Sequence, residues 1–60
     1  MIKDYIYTTI RSIEIGYGNV LAKGTKLKLL DWDDNEVRIL WGGYPYRMER
    51  DTFEYLVYED

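Results

Sequence analysis

The chain contains no cysteine and no histidine. The first absence excludes a disulfide framework, and together they exclude the usual zinc staple and any imidazole- or thiol-based catalytic pair. Proline occurs once and glycine five times, which is too few for a disordered or low-complexity tract. Positive charge is also scarce, with 8 basic against 11 acidic residues and a net charge of −3. That balance disfavours a sequence-independent grip on nucleic acid, which relies on a basic surface releasing counterions. No run approaches the roughly 20 apolar residues of a membrane span. Charges and tyrosines interrupt Met1 to Ile10, which argues against a signal peptide, so a cytoplasmic, reducing location is the expectation.

What is present is hydrophobic and aromatic. The 60 residues are 47% hydrophobic and include seven Tyr, two Trp and one Phe. Tyr buries a large ring while keeping a wet hydroxyl, so it suits rims and interfaces. This length allows one domain, residues 1–60, and a chain so short buries only about 60% of the surface its unfolded form exposes. Hydrophobic residues must supply the whole core, or a second copy completes it.

The chain is organised around KGTKLKLLDWDDNEVRILWGG, Lys23 to Gly43. Leu27 and Leu29 alternate with Lys26 and Lys28, and Val37, Ile39 and Trp41 alternate with Glu36, Arg38 and Leu40. A period of two marks strands with one buried face. Sharing that face requires paired residue numbers with an even sum. A three-residue loop, Asp33, Asp34 and Asn35, meets the condition, with Asn35 in the left-handed conformation. The expected inner pairs are Leu29 with Ile39 and Leu27 with Trp41. The expected outer pairs are Trp32 with Glu36, Leu30 with Arg38 and Lys28 with Leu40. Leu30, Trp32 and Leu40 thereby form an apolar surplus on a face expected to be polar.

Before the hairpin, IKDYIYTTIRSIEIG admits two readings. Ile2, Ile6, Ile10 and Ile13 recur at helical spacing, but Tyr, Ile and Thr dominate and suit a pleated surface better. We read it as strand with a bend near Arg11 and Ser12, keeping a helix as the alternative. GYGN at 16–19 is a turn, Val20 and Leu21 begin a short apolar piece, and Gly24 punctuates the entry to the central hairpin. Beyond Gly42 and Gly43, which allow a sharp turn, Tyr44, Tyr46 and Met48 alternate as an edge strand, since Pro45 has no amide proton. Glu49 to Thr52 reads as one 3₁₀ turn and FEYLVY, 53–58, as a last strand.

This order resembles a small SH3-like β-barrel over roughly Ala22 to Val57. AKGTKLKLLD stands at the Gly-led second strand, DWDDNEV at the distal hairpin, and ERDTFEYLV at the short 3₁₀ turn and closing strand. The resemblance implies an all-β, five-stranded barrel with a single 3₁₀ turn before the last strand. The alternative is an α+β fold with an N-terminal helix packed on a three- to four-stranded antiparallel sheet. Peptide-binding members carry a Trp pair after the distal hairpin and a Pro before the 3₁₀ turn. Here Trp41 stands alone and Glu49 or Arg50 replaces the Pro, so the resemblance does not extend to polyproline binding. Very short, acidic, Tyr-rich chains also resemble small bacteriophage proteins that bind and disable a host enzyme.

Among candidate sites, Asp31, Asp33, Asp34, Asn35 and Glu36 offer oxygen ligands, but Glu36 stands where a calcium loop needs glycine and Gly42 where it needs glutamate. A solvated turn explains them better, and no metal or cofactor is expected. The hydroxyls have no imidazole to activate them, so no catalytic residue is assigned and an enzyme is not expected. Leu30, Trp32 and Leu40 make the sharper hypothesis, because Trp is enriched at interface hot spots. The competing reading has Ile10 or Ile13 fold over them as extra core. The tyrosines offer a second candidate, a platform for stacking single-stranded nucleic acid, with Lys26, Lys28, Arg38 and Arg47 on phosphate. The acidic residues, through Glu59 and Asp60, offer a nucleic-acid-like field as a version of inhibition.

The reading is a non-enzymatic protein-binding module, in the inhibitor or adaptor class. Its site residues are Leu30, Trp32, Leu40, Tyr44, Tyr46, Asp33 and Asp34, and its partner is a host protein or its own copy. A single-stranded nucleic-acid-binding barrel is the alternative, and no membrane partner is expected.

Overall fold

A computed structural model describes residues 1–16 and 18–59. Tyr17 of the GYGN turn and Asp60 of the acidic tail lie outside the described residues. The central hairpin comprises β4, Lys26–Trp32, and β5, Glu36–Trp41. Leu27, Leu29, Val37 and Ile39 are fully buried on its inner face, as the alternation requires. The pairs Leu29 with Ile39 and Lys28 with Leu40 form as expected.

Towards the tip the register differs from expectation. Asp31 opposes Arg38 and Trp32 opposes Val37, so Leu30 is the extra residue of a β-bulge. The expected pairs Leu30–Arg38 and Trp32–Glu36 do not form. The tip also needs no left-handed Asn35, because Asp4 is the only non-glycine residue at positive φ among those described. Asp33 shapes it instead: its amide donates to the Glu36 carbonyl at 2.9 Å. Its carboxylate accepts from the amides of Asn35 and Glu36 at 2.7 and 2.8 Å. A side chain that bonds its own turn makes the αL residue unnecessary.

Two further strands extend the hairpin into a four-stranded antiparallel sheet in the order β1-β4-β5-β6. β1, Ile6–Thr8, sets Tyr7 opposite Leu27. β6, Tyr44–Glu49, follows a two-residue turn in which Gly42 and Gly43 have φ of 60° and 85°, values that a Cβ would strain. As Pro45 demands, β6 is an edge strand. β2, Ile13–Gly16, and β3, Asn19–Leu21, form a separate two-stranded sheet. The first arm is therefore strand and not helix, with its break between Thr8 and Ile13, where the bend was expected.

The C-terminal expectation is overturned. Neither a 3₁₀ turn nor a strand over 53–58 forms; Arg50–Val57 is an α-helix, α1. Phe53 and Leu56, three apart and fully buried, are its core contacts, whereas Tyr55 is exposed. Alternation and helical spacing overlap in so short a run, and the inner face of the sheet selected the helical version. Without a closing strand there is no closed barrel. The fold is mostly β, and the described residues form six strands in two antiparallel sheets rather than the expected five in one barrel. No described helix is long and apolar enough to cross a membrane.

α1 is tied at both ends. Its first residue, Arg50, donates its amide to the Asn35 carbonyl at 3.0 Å. Its last turn contains no basic residue, and Arg11 supplies the cation from the first arm. That guanidinium donates to the carbonyls of Tyr55 and Tyr58 and lies 4.5 Å from the centre of the Tyr55 ring.

The core joins Tyr7, Leu21, Leu27, Leu29, Val37, Ile39, Met48, Phe53 and Leu56, with Ile13 and Ile15 packed against it. Thr9, 2% exposed, sits among them with every polar atom engaged. Its hydroxyl donates to the Ala22 carbonyl and accepts from the Thr25 amide, both at 2.9 Å. Its own amide and carbonyl pair with Thr25 and Gly24. Replacing Thr9 with Val would remove two hydrogen bonds while the Ala22 carbonyl and the Thr25 amide keep their bond to each other at 3.2 Å, at a cost of about 0.5–1.5 kcal/mol for each bond lost. Phe53→Ala should cost about 3–5 kcal/mol, comparable with the whole stability of so small a chain. Urea denaturation should therefore show a lowered midpoint at unchanged slope for Thr9→Val and no cooperative transition for Phe53→Ala.

Candidate functional site

The pairing of the four strands builds a continuous outer row: Ile6 opposes Lys28, Lys28 opposes Leu40, and Leu40 opposes Pro45. Next to it runs a second row of Leu30 and Asp31 at the bulge, then Arg38 and Arg47. Helix α1 and the β2–β3 pair both join the core on the opposite face. Ile13, expected as a cover for the outer face, packs into that core instead. Among the described residues no element is packed across the outer face. Ile6 is 55% exposed and Pro45, Arg38 and Arg47 are exposed, while Leu30, Lys28 and Leu40 are half-buried by their neighbours. An open recess of about 700 Å³ lies here, lined by Leu30, Asp31, Arg38, Pro45, Tyr46 and Arg47.

The residues expected to form one patch divide into four places. Leu30 and Leu40 stay on the outer face. Trp32, 37% exposed, is shifted by the bulge into register with inner-face Val37, and borders a smaller recess with Asp31, Glu36 and Arg47. Tyr44 and Tyr46 do share a face with Met48, but it is the inner row, opposite Trp41, Ile39 and Val37. There Tyr46 packs edge-on to Trp41 with ring centres 5.8 Å apart, and Tyr44 is 77% exposed. Asp33 and Asp34 sit at the tip, where Asp33 is committed to the turn and Asp34 lies 4.0 Å from Arg50. Ile6 and Pro45 belong to the outer surface and were missed. Their alternation with inward residues was visible, but only the β1–β4 and β5–β6 registers align them with Leu40.

No family model, curated protein or solved structure matches this chain. Its chemistry therefore has to be read from its own groups. Asp31 accepts two hydrogen bonds from Arg38, one from Nε at 2.6 Å, and this contact holds its carboxyl below the ordinary carboxylate value. The amides of Glu36 and Asn35 do the same to Asp33. Both groups are held ionised, which suits an ion pair and a turn and not a proton donor at neutral pH. Among the described residues no three carboxylates converge as a cation site.

The tyrosines likewise separate by role. Tyr7 is buried, with its ring edge-on to Tyr5, Phe53 and Tyr58 at 4.8, 5.4 and 5.9 Å. Its hydroxyl accepts from the Ile2 amide at 3.0 Å and from the Tyr58 hydroxyl at 3.3 Å. These rings join the first arm to the end of α1, so they are not a free stacking platform.

The bond to Tyr7, aided by burial, pushes the Tyr58 hydroxyl from 10.0 up to about 12. A raised value means that the folded state favours the neutral phenol. This contribution to stability is complete below about pH 10 and is lost as pH climbs through about 12. An absorbance titration of tyrosinate should show a late-ionising phase contributed by Tyr58 in the native protein. Tyr58→Phe should remove that late phase.

Proposed function

We propose that this chain is a non-enzymatic protein-binding module whose docking surface is the outer face of the four-stranded sheet. One observation carries the reading: Ile6, Leu40 and Pro45 are aligned across the sheet, with Leu30 beside them, and no described element lies over them. A small protein that leaves aliphatic side chains in register on a charged face has a surface suited to a partner. Inhibition of an enzyme by covering part of its surface, of the sort short phage proteins perform on a host, is the version we adopt. A cytoplasmic setting accords with the absence of cysteine. The SH3-like resemblance over roughly Ala22 to Val57 is kept as a proposal for its strands alone, since α1 stands where its closing strand would be.

A second reading, binding of single-stranded nucleic acid, draws on Trp41, Tyr44 and Tyr46, which present an aromatic group away from the outer face.

Leu40→Lys separates these. It places a charge in the middle of the outer row, at a half-buried site where the fold should lose no more than about 1 kcal/mol. Sedimentation with lysate of the native host, followed by mass spectrometry, should show one protein that co-migrates with the native chain. Its affinity for Leu40→Lys should fall at least about tenfold. A nuclease-sensitive complex, or one unchanged by the substitution, would sink the docking-face reading.

A further inference from the structure

We propose that the segment received by the outer face is an acidic stretch of polypeptide carrying aliphatic side chains; this rests on the docking-face reading above. Charge points to it first. Lys26, Lys28, Arg38 and Arg47 all project from this face, which is half of the chain's 8 basic residues. Among the paired strand residues of this face the acidic ones are Asp31, Glu36 and Glu49, so those positions carry a net of +1 in a chain whose total is −3.

The cations also differ in how far they are satisfied. Arg38 is bound to Asp31, and Arg47 lies 3.4 Å from Glu36. Lys26 and Lys28 have no carboxylate partner among the described residues. Lys28 is half-buried at the centre of the aliphatic row, between Ile6 and Leu40. An ammonium there gains most from a carboxylate that arrives together with apolar groups, because those groups exclude water and strengthen the pair.

The same face argues against nucleic acid as its occupant. Its rows contain Ile, Leu, Pro and Thr; the rings that border it are Tyr46, already packed edge-on to Trp41, and Trp32, set beside Asp31, Asp33 and Glu36. The three interspersed carboxylates would repel a phosphate backbone, yet they leave Lys26 and Lys28 accessible to single carboxylates.

The test uses short random peptides displayed as a library and selected on the immobilised native protein. Enriched peptides are then titrated into the protein by amide NMR. The expected winners combine an excess of Asp and Glu with Leu, Ile or Val, and shift the amides of Ile6, Lys28 and Leu40. Binding should weaken about tenfold in the double variant Lys26→Glu, Lys28→Glu, and should weaken steeply with salt. Winners that are neutral or basic yet lost with Leu40→Lys would overturn the acidic chemistry while leaving the docking face intact. No enrichment, or binding indifferent to Leu40→Lys, would overturn both readings. Oligothymidylate shifting the same amides would transfer the face to nucleic acid. Self-association of the pure protein that disappears in the double lysine variant would transfer it to a second copy.

Discussion

Four side chains, Leu27, Leu29, Val37 and Ile39, are wholly removed from water on one face of the central hairpin, and every other element is placed by the need to cover them. No disulfide or Cys/His zinc staple can substitute, since there is neither cysteine nor histidine. Burying each such side chain is worth about 1.5–3 kcal/mol, so the inner face supplies a large share of what a chain this small can muster. Helix α1 contributes Phe53 and Leu56, the first arm contributes Tyr7 and Ile13, and β3 contributes Leu21. All three cover the same face. Among the described residues no element lies over the other one.

Polar contacts then decide how the covering pieces are held. Thr9 joins the first arm to the 22–25 loop through bonds that leave no buried polar atom alone. Arg11 joins the same arm to the carbonyls at the end of α1, where a cation is favoured by the helix dipole. The tip of the hairpin meets the start of α1 through Arg50. The helix is thus clamped between two distant segments, and the core beneath it is closed without a barrel.

The bulge at Leu30 has the widest effect on the surface. One unpaired residue shifts the parity of the strand beyond it, which brings Asp31 to Arg38 and moves Trp32 into register with Val37. A three-member apolar patch of Leu30, Trp32 and Leu40 becomes instead a row across four strands, in which Ile6 and Pro45 join Leu40. The result is a face of aliphatic groups interleaved with cations, on a molecule that is acidic elsewhere.

The chain by itself determined the hairpin, its inner residues, the glycine turn at 42–43, the edge position of β6 and the break in the first arm. These follow from local rules: alternation, positive φ at glycine, and the missing amide of proline. Only the tertiary structure decided the bulge, the helical state of 50–57 and the members of the outer row. A bulge leaves no mark in the periodicity, because one extra residue looks like ordinary alternation until its partner is known. FEYLVY satisfies both a period of two and a spacing of three, so the shape of the surface beneath it made the choice. Which residues stand side by side across a sheet depends on pairing between segments far apart in the chain, and that is set by the shared burial of their opposite faces.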